Sequence, residues 1–251
     1  MTLEANLGAI LAGLGRYEEA RHHFETARAI GDRVGMPMVT TRAMSISAGH
    51  RIDVLDLDGA QRIAEETCEI GRALEFATPR VSSTLDRAFV AAARGDSATA
   101  RQIADGVAAD VEKGTGFHGW LWRARMAVLR GQVAVLEGDF SGALAIAERA
   151  IETWTRLGRQ KYVGFAEVVR ARALAGLGRN DEAAAGLATF LRERLSLPDP
   201  ALRLRVAGAL FELARVEHAR TVALEAAATV ELGLPIAARP EFRRAADALT
   251  T

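Results

Sequence analysis

Two adjacent histidines are the first residues whose type and spacing could do chemistry. His22 and His23 follow Glu18 and Glu19 by four residues, and residues four apart share one face of a helix. A metal ion could bind Glu18 and His22, but two ligands make an incomplete site, and the sequence offers no third ligand nearby. Salt bridges on an exposed helix face are the alternative that we favour, and no metal site is predicted.

Three aspartates before a glycine resemble a calcium-binding loop. Asp53, Asp56 and Asp58 precede Gly59, and such a loop needs glycine at its sixth place and an oxygen ligand at its first. With Gly59 in sixth place, the first place falls on Val54, which cannot bind a cation. We therefore expect Asp56 or Asp58 to cap the helix that follows.

A short glycine-containing segment has the ingredients of a phosphate loop in the wrong order. Lys113-Gly-Thr-Gly116 does not match the G-x-x-x-x-G-K-[ST] pattern, and no other segment does. We interpret it as a flexible connection. No nucleotide and no other cofactor is predicted.

An aromatic cluster follows this connection. Phe117, His118, Trp120 and Trp122 lie within six residues. We favour packing in the core or between neighbouring helices. The alternative is that an exposed tryptophan anchors a partner, because aromatic residues are enriched at binding hot spots.

No set of residues completes an enzyme active site. Cys68 is the only cysteine, so an internal disulfide and a cysteine-based zinc site are excluded. His218 has no evident nucleophile or carboxylate to act with. The sequence therefore predicts a protein that is not an enzyme, and an enzyme with a site in a groove is the weakest alternative.

The charge balance excludes several partners. The chain has 251 residues, with 32 Lys and Arg against 32 Asp and Glu. A neutral chain lacks the basic field of nucleic-acid-binding proteins. No run of apolar residues is long enough to span a membrane, and the N-terminus lacks an export signal. We expect a cytoplasmic protein that binds neither nucleic acid nor membranes.

A repeat positions these residues. Leu11-Ala-Gly-Leu-Gly-Arg16 recurs unchanged as Leu174-Ala-Gly-Leu-Gly-Arg179, and an alanine follows each copy four residues later. Counterparts of that alanine, which we call the marker alanines, recur every 36 to 43 residues at Ala20, Ala60, Ala100, Ala143, Ala183 and Ala219. Fixed periods of this length are typical of solenoids.

Each repeat predicts two helices joined by a glycine turn. Apolar residues recur at steps of three and four on both sides of the turn, which favours amphipathic helices. Gly15, Gly95, Gly138 and Gly178 are expected to adopt the left-handed conformation that ends a helix. Asp96 and Asp139 are expected to cap the helices that follow.

These units resemble the tetratricopeptide repeat (TPR) family. The first unit matches the spacing of its motif best, at Leu7, Gly8, Leu11, Gly15, Tyr17, Ala20, Phe24 and Ala27. The resemblance implies an all-α fold, a right-handed α-α superhelix of about six helix pairs with a C-terminal capping helix. We expect one solenoid over 1–251, with repeats at 1–36, 37–76, 77–115, 116–158, 159–197 and 198–235, and a terminal helix at 238–250.

The repeat is longer than the usual thirty-four residues of the family. Units that end in Leu-Gly or Val-Gly, as at Val34-Gly35 and Leu157-Gly158, are similar to the MalT-like repeats at the C-terminal end of bacterial signal-transduction ATPases, cyclase-linked ATPases and LuxR-type transcriptional regulators. The resemblance implies a region that senses a ligand or holds a partner while other domains do the chemistry.

The resemblance also implies a concave face lined by the first helix of each pair. Carried over by register, seven residues point into it, and we call them the groove residues: Arg42, Ser82, Phe89, Arg125, Gln132, Phe165 and Arg172. Arginine binds carboxylates and phosphates through paired N–H groups, and an aromatic ring can hold an apolar neighbour. The alternative is that these arginines are solvated or pair with Asp53, Asp86 or Glu167.

The leading expectation is a protein-interaction scaffold that binds an acidic peptide or protein, or a small anionic ligand, in this groove. The alternative is a ligand-sensing module of one of the regulators named above. The sequence leaves the oligomeric state open.

Overall fold

The computed structural model describes residues 2–194 and 198–251. This part of the chain is helical and contains no β-strand. Its α-helices are α1 (Thr2–Gly13), α2 (Tyr17–Arg33), α3 (Pro37–Asp53), α4 (Leu57–Ala73), α5 (Ala77–Ala93), α6 (Ser97–Lys113), α7 (Gly116–Leu136), α8 (Phe140–Arg156), α9 (Gln160–Gly176), α10 (Asn180–Thr189), α11 (Pro200–Ala214), α12 (Glu217–Leu232) and α13 (Arg239–Thr250). A π-helical turn, Phe190–Arg194, follows α10, and a 3₁₀ turn, Ile236–Ala238, precedes α13.

The chain divides into two compact units. Unit 1 is Met1–Trp122 with Gly233–Phe242, and unit 2 is Arg123–Leu232 with Arg243–Thr251. Within each unit, helices that follow one another along the chain pack together, as in a helical-repeat solenoid. The prediction of an all-α helical repeat is confirmed in this form. The predicted boundary at Leu197 lies outside the described residues.

The marker alanines are buried in the core. Five of the six have no exposed surface, and Ala219 is 1% exposed. In unit 2, Ala143 packs with Ala134, Ala147, Val169 and Ala173. The side chains between α8 and its neighbours α7 and α9 are therefore small at this point. Two helices approach closely only where the side chains between them are small, so the repeat period follows from packing.

Residues with left-handed backbone end many of the helices. Gly15, Gly95, Gly138 and Gly178 have φ between 77° and 80°, as predicted from their place in the turn. Leu55 occupies the same place in its repeat and adopts positive φ without being glycine, and Arg215 does so at the end of α11. The turn geometry is therefore kept where the glycine is missing, at a steric cost.

Aspartates cap three of the second helices. Asp96 accepts a hydrogen bond from the backbone N–H of Thr99 (3.0 Å), and Asp139 accepts one from Gly142 (2.9 Å). Asp56 accepts one from Gly59 (3.1 Å) and also contacts Arg51. The caps predicted at Asp96 and Asp139 are confirmed, and of the two candidates Asp56 and Asp58 it is Asp56 that caps α4. The hydrogen bond from Thr99 lowers the pKa of Asp96, because it stabilises the carboxylate form.

The C-terminal segment of unit 1 packs on the start of α2. At Gly233, an added Cβ would lie 2.5 Å from the Cβ of Tyr17, so only glycine fits at this approach. Among the helices of the described residues, none combines the length and the apolar character needed to cross a bilayer.

Candidate functional site

In unit 1, the groove residue Arg42 lies on α3 and is half-buried. Its Nη2 donates to Oδ1 of Asn6 on α1 (3.0 Å), which lies 36 residues earlier. Its Nε is buried and donates no hydrogen bond to any residue that the structure describes. The guanidinium thus keeps one unsatisfied donor on a surface formed by first helices.

The groove residue Ser82 holds the aromatic cluster of α7. Trp122 is 5% exposed, and its Nε1 donates to the Ser82 hydroxyl oxygen (3.0 Å). The ring of His118 lies 5.5 Å from that of Trp122. Packing between helices, the role that we favoured for this cluster, is confirmed for Trp122.

His118 carries the clearest electrostatic signal in unit 1. Its burial lowers its pKa, and the positive charge of Arg42 lowers it further. Its Nδ1 is buried and has no hydrogen-bond partner in the described part of the chain. An unsatisfied buried polar atom is costly, and the charge of Arg42 acts on His118. An anion that reached both groups would therefore stabilise them.

An exposed phenylalanine lies beside this pair. Phe117 is 58% exposed, and its ring lies 5.5 Å from His118 and 5.2 Å from Trp120. The groove residue Phe89, in contrast, packs on a core cluster that includes Ile52 and Val90. Apolar contact with a partner is therefore offered by Phe117, which the sequence-based list of groove residues omitted.

Unit 2 holds the other four groove residues. Arg172 on α9 pairs with Glu212 on α11 (3.0 Å), and this carboxylate is none of the three that the sequence suggested. The Phe165 ring lies 5.9 Å from both Lys161 Nζ and the guanidinium carbon of Arg205. Arg125 and Gln132 are half-buried on α7.

The sequence suggested Asp53, Asp86 and Glu167 as partners of the groove arginines. Glu167 lies 3.7 Å from Arg170 on the same helix, and Asp86 on α5 has no exposed surface. Asp53, at the end of α3, is half-buried.

The histidine pair and the glutamates near it make contacts within unit 1. His23 Nδ1 lies 2.6 Å from Oε2 of Glu4 on α1, and Glu19 pairs with Arg16. The carboxylate that contacts His23 therefore comes from another helix and not from one turn earlier. The described residues contain no cluster of three or more His, Cys, Asp or Glu side chains that could hold a metal ion.

Sequence reasoning missed the neighbourhood of Arg42 and His118. The available signal was distance along the chain: the hydrogen-bonded pair Asn6 and Arg42 are 36 residues apart, and Ser82 and Trp122 are 40 apart. Polar side chains one repeat apart lie on adjacent first helices, so a search for polar pairs at this spacing would have found both.

No protein-family model matches the chain, and no curated protein matches it. The function of this site therefore has to be inferred from its own geometry.

Proposed function

We propose that this chain is a non-catalytic protein-interaction scaffold whose first helices bind an acidic segment of a peptide or protein. In this proposal, the helices form a right-handed superhelix of six pairs closed by α13, with the first helices on the concave face.

The unsatisfied pair of Arg42 and His118 is the observation that carries the proposal. Both side chains lie on first helices, α3 and α7, and each has a buried nitrogen without a hydrogen-bond partner among the described residues. A carboxylate between them would accept hydrogen bonds from both and offset the repulsion that lowers the pKa of His118.

The chemistry of the partner follows from the neighbours of this pair. Phe117 offers a largely exposed ring beside His118. A segment with an aspartate or glutamate next to a large apolar residue would fill both places, because such rings act as anchors once water is excluded.

Selection from a random octapeptide library displayed on phage tests this proposal. We expect enriched peptides to contain Asp or Glu beside a large apolar residue. Their affinity, measured by fluorescence anisotropy, should fall at least about tenfold in Arg42→Gln and in Phe117→Ser, which is a loss of about 1.4 kcal/mol.

Arg62→Gln is the matched control. Arg62 is exposed on α4 and forms no ion pair in the described part of the chain, so its removal changes net charge equally and should leave affinity unchanged. Enrichment of basic peptides, or equal losses in Arg42→Gln and Arg62→Gln, would refute the proposal.

The groove residues of unit 2 allow a separate test. Arg125→Ala combined with Arg172→Ala should weaken an acidic partner more than about tenfold if unit 2 also binds it. Because Glu212 already occupies Arg172, Glu212→Gln should have the opposite effect and strengthen binding.

An apolar stripe on α1 favours a second candidate function. In this alternative, the chain is a repeat module that senses a ligand and regulates an effector, which is either attached to it or a separate partner. Leu3, Leu7 and Ile10 are 81%, 41% and 61% exposed on one side of α1. Counterparts of Leu3 in the later repeats are at most 4% exposed: Ala43, Ser83, Met126, Ala166 and Leu202. The stripe is thus a surface on which a further helix would pack, as α3, α5, α9 and α11 each pack on the second helix before them.

The mass of the native polypeptide separates the two candidates. An immunoblot of source cells that shows a band several times heavier than 26.9 kDa supports the regulatory module. A band near that mass supports the free-standing scaffold.

A further inference from the structure

A pocket in unit 1 gathers three arginines from two helices. Arg72 comes from the last turn of α4, and Arg80 and Arg87 from α5; with residues of α6 they line a cavity of about 460 Å³. This volume lies in the range of small-molecule sites. We call this cavity the basic pocket.

The basic pocket lies away from the groove residues of α5. Arg80 and Arg87 are seven residues apart and share one side of the helix, as do Ser82 and Phe89. Two residues of helix turn through about 200°, so the two pairs lie on opposite sides of α5. A ligand in the basic pocket would therefore not occupy the surface proposed for the protein partner.

The arginines outnumber the carboxylates that they contact. Arg80 pairs with Asp110 on α6 (2.9 Å). Arg72 forms no ion pair with any described residue, and the Nε of Arg87 is buried without a hydrogen-bond partner among them. Within the described part of the chain, the charges of Arg72 and Arg87 therefore have no carboxylate partner, and the Nε of Arg87 has no acceptor. A bound anion would neutralise these charges and accept that hydrogen bond.

The wall of the pocket on α6 leaves space for the ligand. Gly106 lines the pocket, and a Cβ placed there would meet no atom within 4 Å. Val107 adds an apolar surface next to it, and Gln102 adds an amide. The Thr84 hydroxyl already donates to the backbone oxygen of Arg80 (2.7 Å), and the side chain of Thr99, which also lines the pocket, hydrogen-bonds to Asp96. The remaining donors are therefore guanidinium and amide N–H groups.

We propose that the basic pocket binds the phosphate group of a small molecule. A phosphate carries up to two negative charges, which matches the two arginines without a carboxylate partner. Its oxygens point in several directions, so guanidinium groups from different helices can contact it together. A carboxylate presents two oxygens in one plane, which suits a single arginine.

Isothermal titration calorimetry of the whole chain tests this proposal with inorganic phosphate, glucose 6-phosphate and succinate at matched ionic strength. We expect saturable binding of a phosphate probe with a Kd below about 1 mM, and none of succinate. Tighter binding of the ester identifies a ligand with an organic body, and tighter binding of phosphate identifies the free ion; both support the proposed chemistry.

Two kinds of variant locate the site. Arg72→Gln with Arg87→Gln should weaken binding at least about tenfold, whereas Arg62→Gln, an exposed arginine elsewhere on α4, should not. Gly106→Leu places a side chain in the cavity and should abolish binding, and it should fold because leucine favours helix over glycine. Circular dichroism checks the fold of each variant.

Three results would overturn the proposal. They are no saturable binding of either phosphate probe, equal binding of succinate, or an equal loss in Arg62→Gln. Each of these outcomes leaves the proposed binding of an acidic segment near Arg42 untouched, because that test substitutes Arg42 and Phe117 on another surface and uses peptides as the probe.

Discussion

Substitution of one marker alanine tests the helix packing most severely. Ala143 has no exposed surface and contacts only aliphatic side chains in its core cluster. Ala143→Glu adds a longer side chain and a carboxyl group at a site without a polar partner in that cluster. We expect it to lower the free energy of unfolding, with separable contributions from volume and charge.

The expected loss is the sum of two terms. Overpacking a filled core costs about 1–3 kcal/mol. Burial raises the pKa of the new carboxyl group, and a rise of about 2 units above the ordinary value costs about 3 kcal/mol at neutral pH. The total of about 4–6 kcal/mol is comparable with the whole stability of many domains.

Urea unfolding followed by circular dichroism measures this loss, with two control variants. Ala143→Leu adds volume without charge and should lose only about 1–3 kcal/mol. Ser141→Glu places the same carboxylate on an exposed position of α8 and should change stability by less than about 0.5 kcal/mol.

The charge term has its own pH dependence. The pKa of the new carboxyl group is raised in the folded protein, so its penalty is present at neutral pH and disappears as the pH falls towards the unfolded value of about 4.3. A loss below about 1 kcal/mol at neutral pH would refute the helix crossing at Ala143, because an accessible carboxylate costs no more than this.

Four smaller perturbations concern a helix cap, a backbone conformation and the charge of His118. Asp139→Ala should lower stability by about 1 kcal/mol because α8 loses its cap, and Asp139→Asn should not, as measured by urea unfolding. Glu75 is exposed with φ of 51°, so Glu75→Gly should raise the melting temperature, whereas Glu75→Ala should leave it unchanged. The pKa of His118 is lowered in the folded protein, so unfolding free energy should fall as the pH drops through the ordinary histidine range near about 6.5, and less so in His118→Gln. Arg42→Gln should raise the pKa of His118 in an NMR titration, because it removes the second cause of the shift.

Local signals account for the parts of the fold that could be predicted. The marker alanines are buried because a repeated crossing allows only a small side chain, and this requirement is visible as a sequence period. The caps at Asp56, Asp96 and Asp139 follow from the place of each aspartate before a helix. Leu55 breaks the turn pattern, since nothing in the sequence indicates that leucine adopts positive φ.

The candidate sites depend on contacts between helices, which sequence patterns show poorly. Arg42 and His118 are 76 residues apart, and only the stacking of repeats brings them together. Arg172 was predicted on the first-helix surface, but its partner Glu212 was not among the carboxylates suggested for it. The basic pocket likewise combines α4, α5 and α6, and its arginines are unremarkable along the sequence.

The most direct measurement is an NMR titration of His118 with and without a selected acidic peptide. If a carboxylate of the peptide binds between Arg42 and His118, the pKa of His118 should rise on binding, because a negative charge then faces the imidazole. The same peptide with Gln in place of Glu should leave that pKa unchanged. A saturating acidic peptide that does not shift the pKa of His118 would contradict the proposed binding surface.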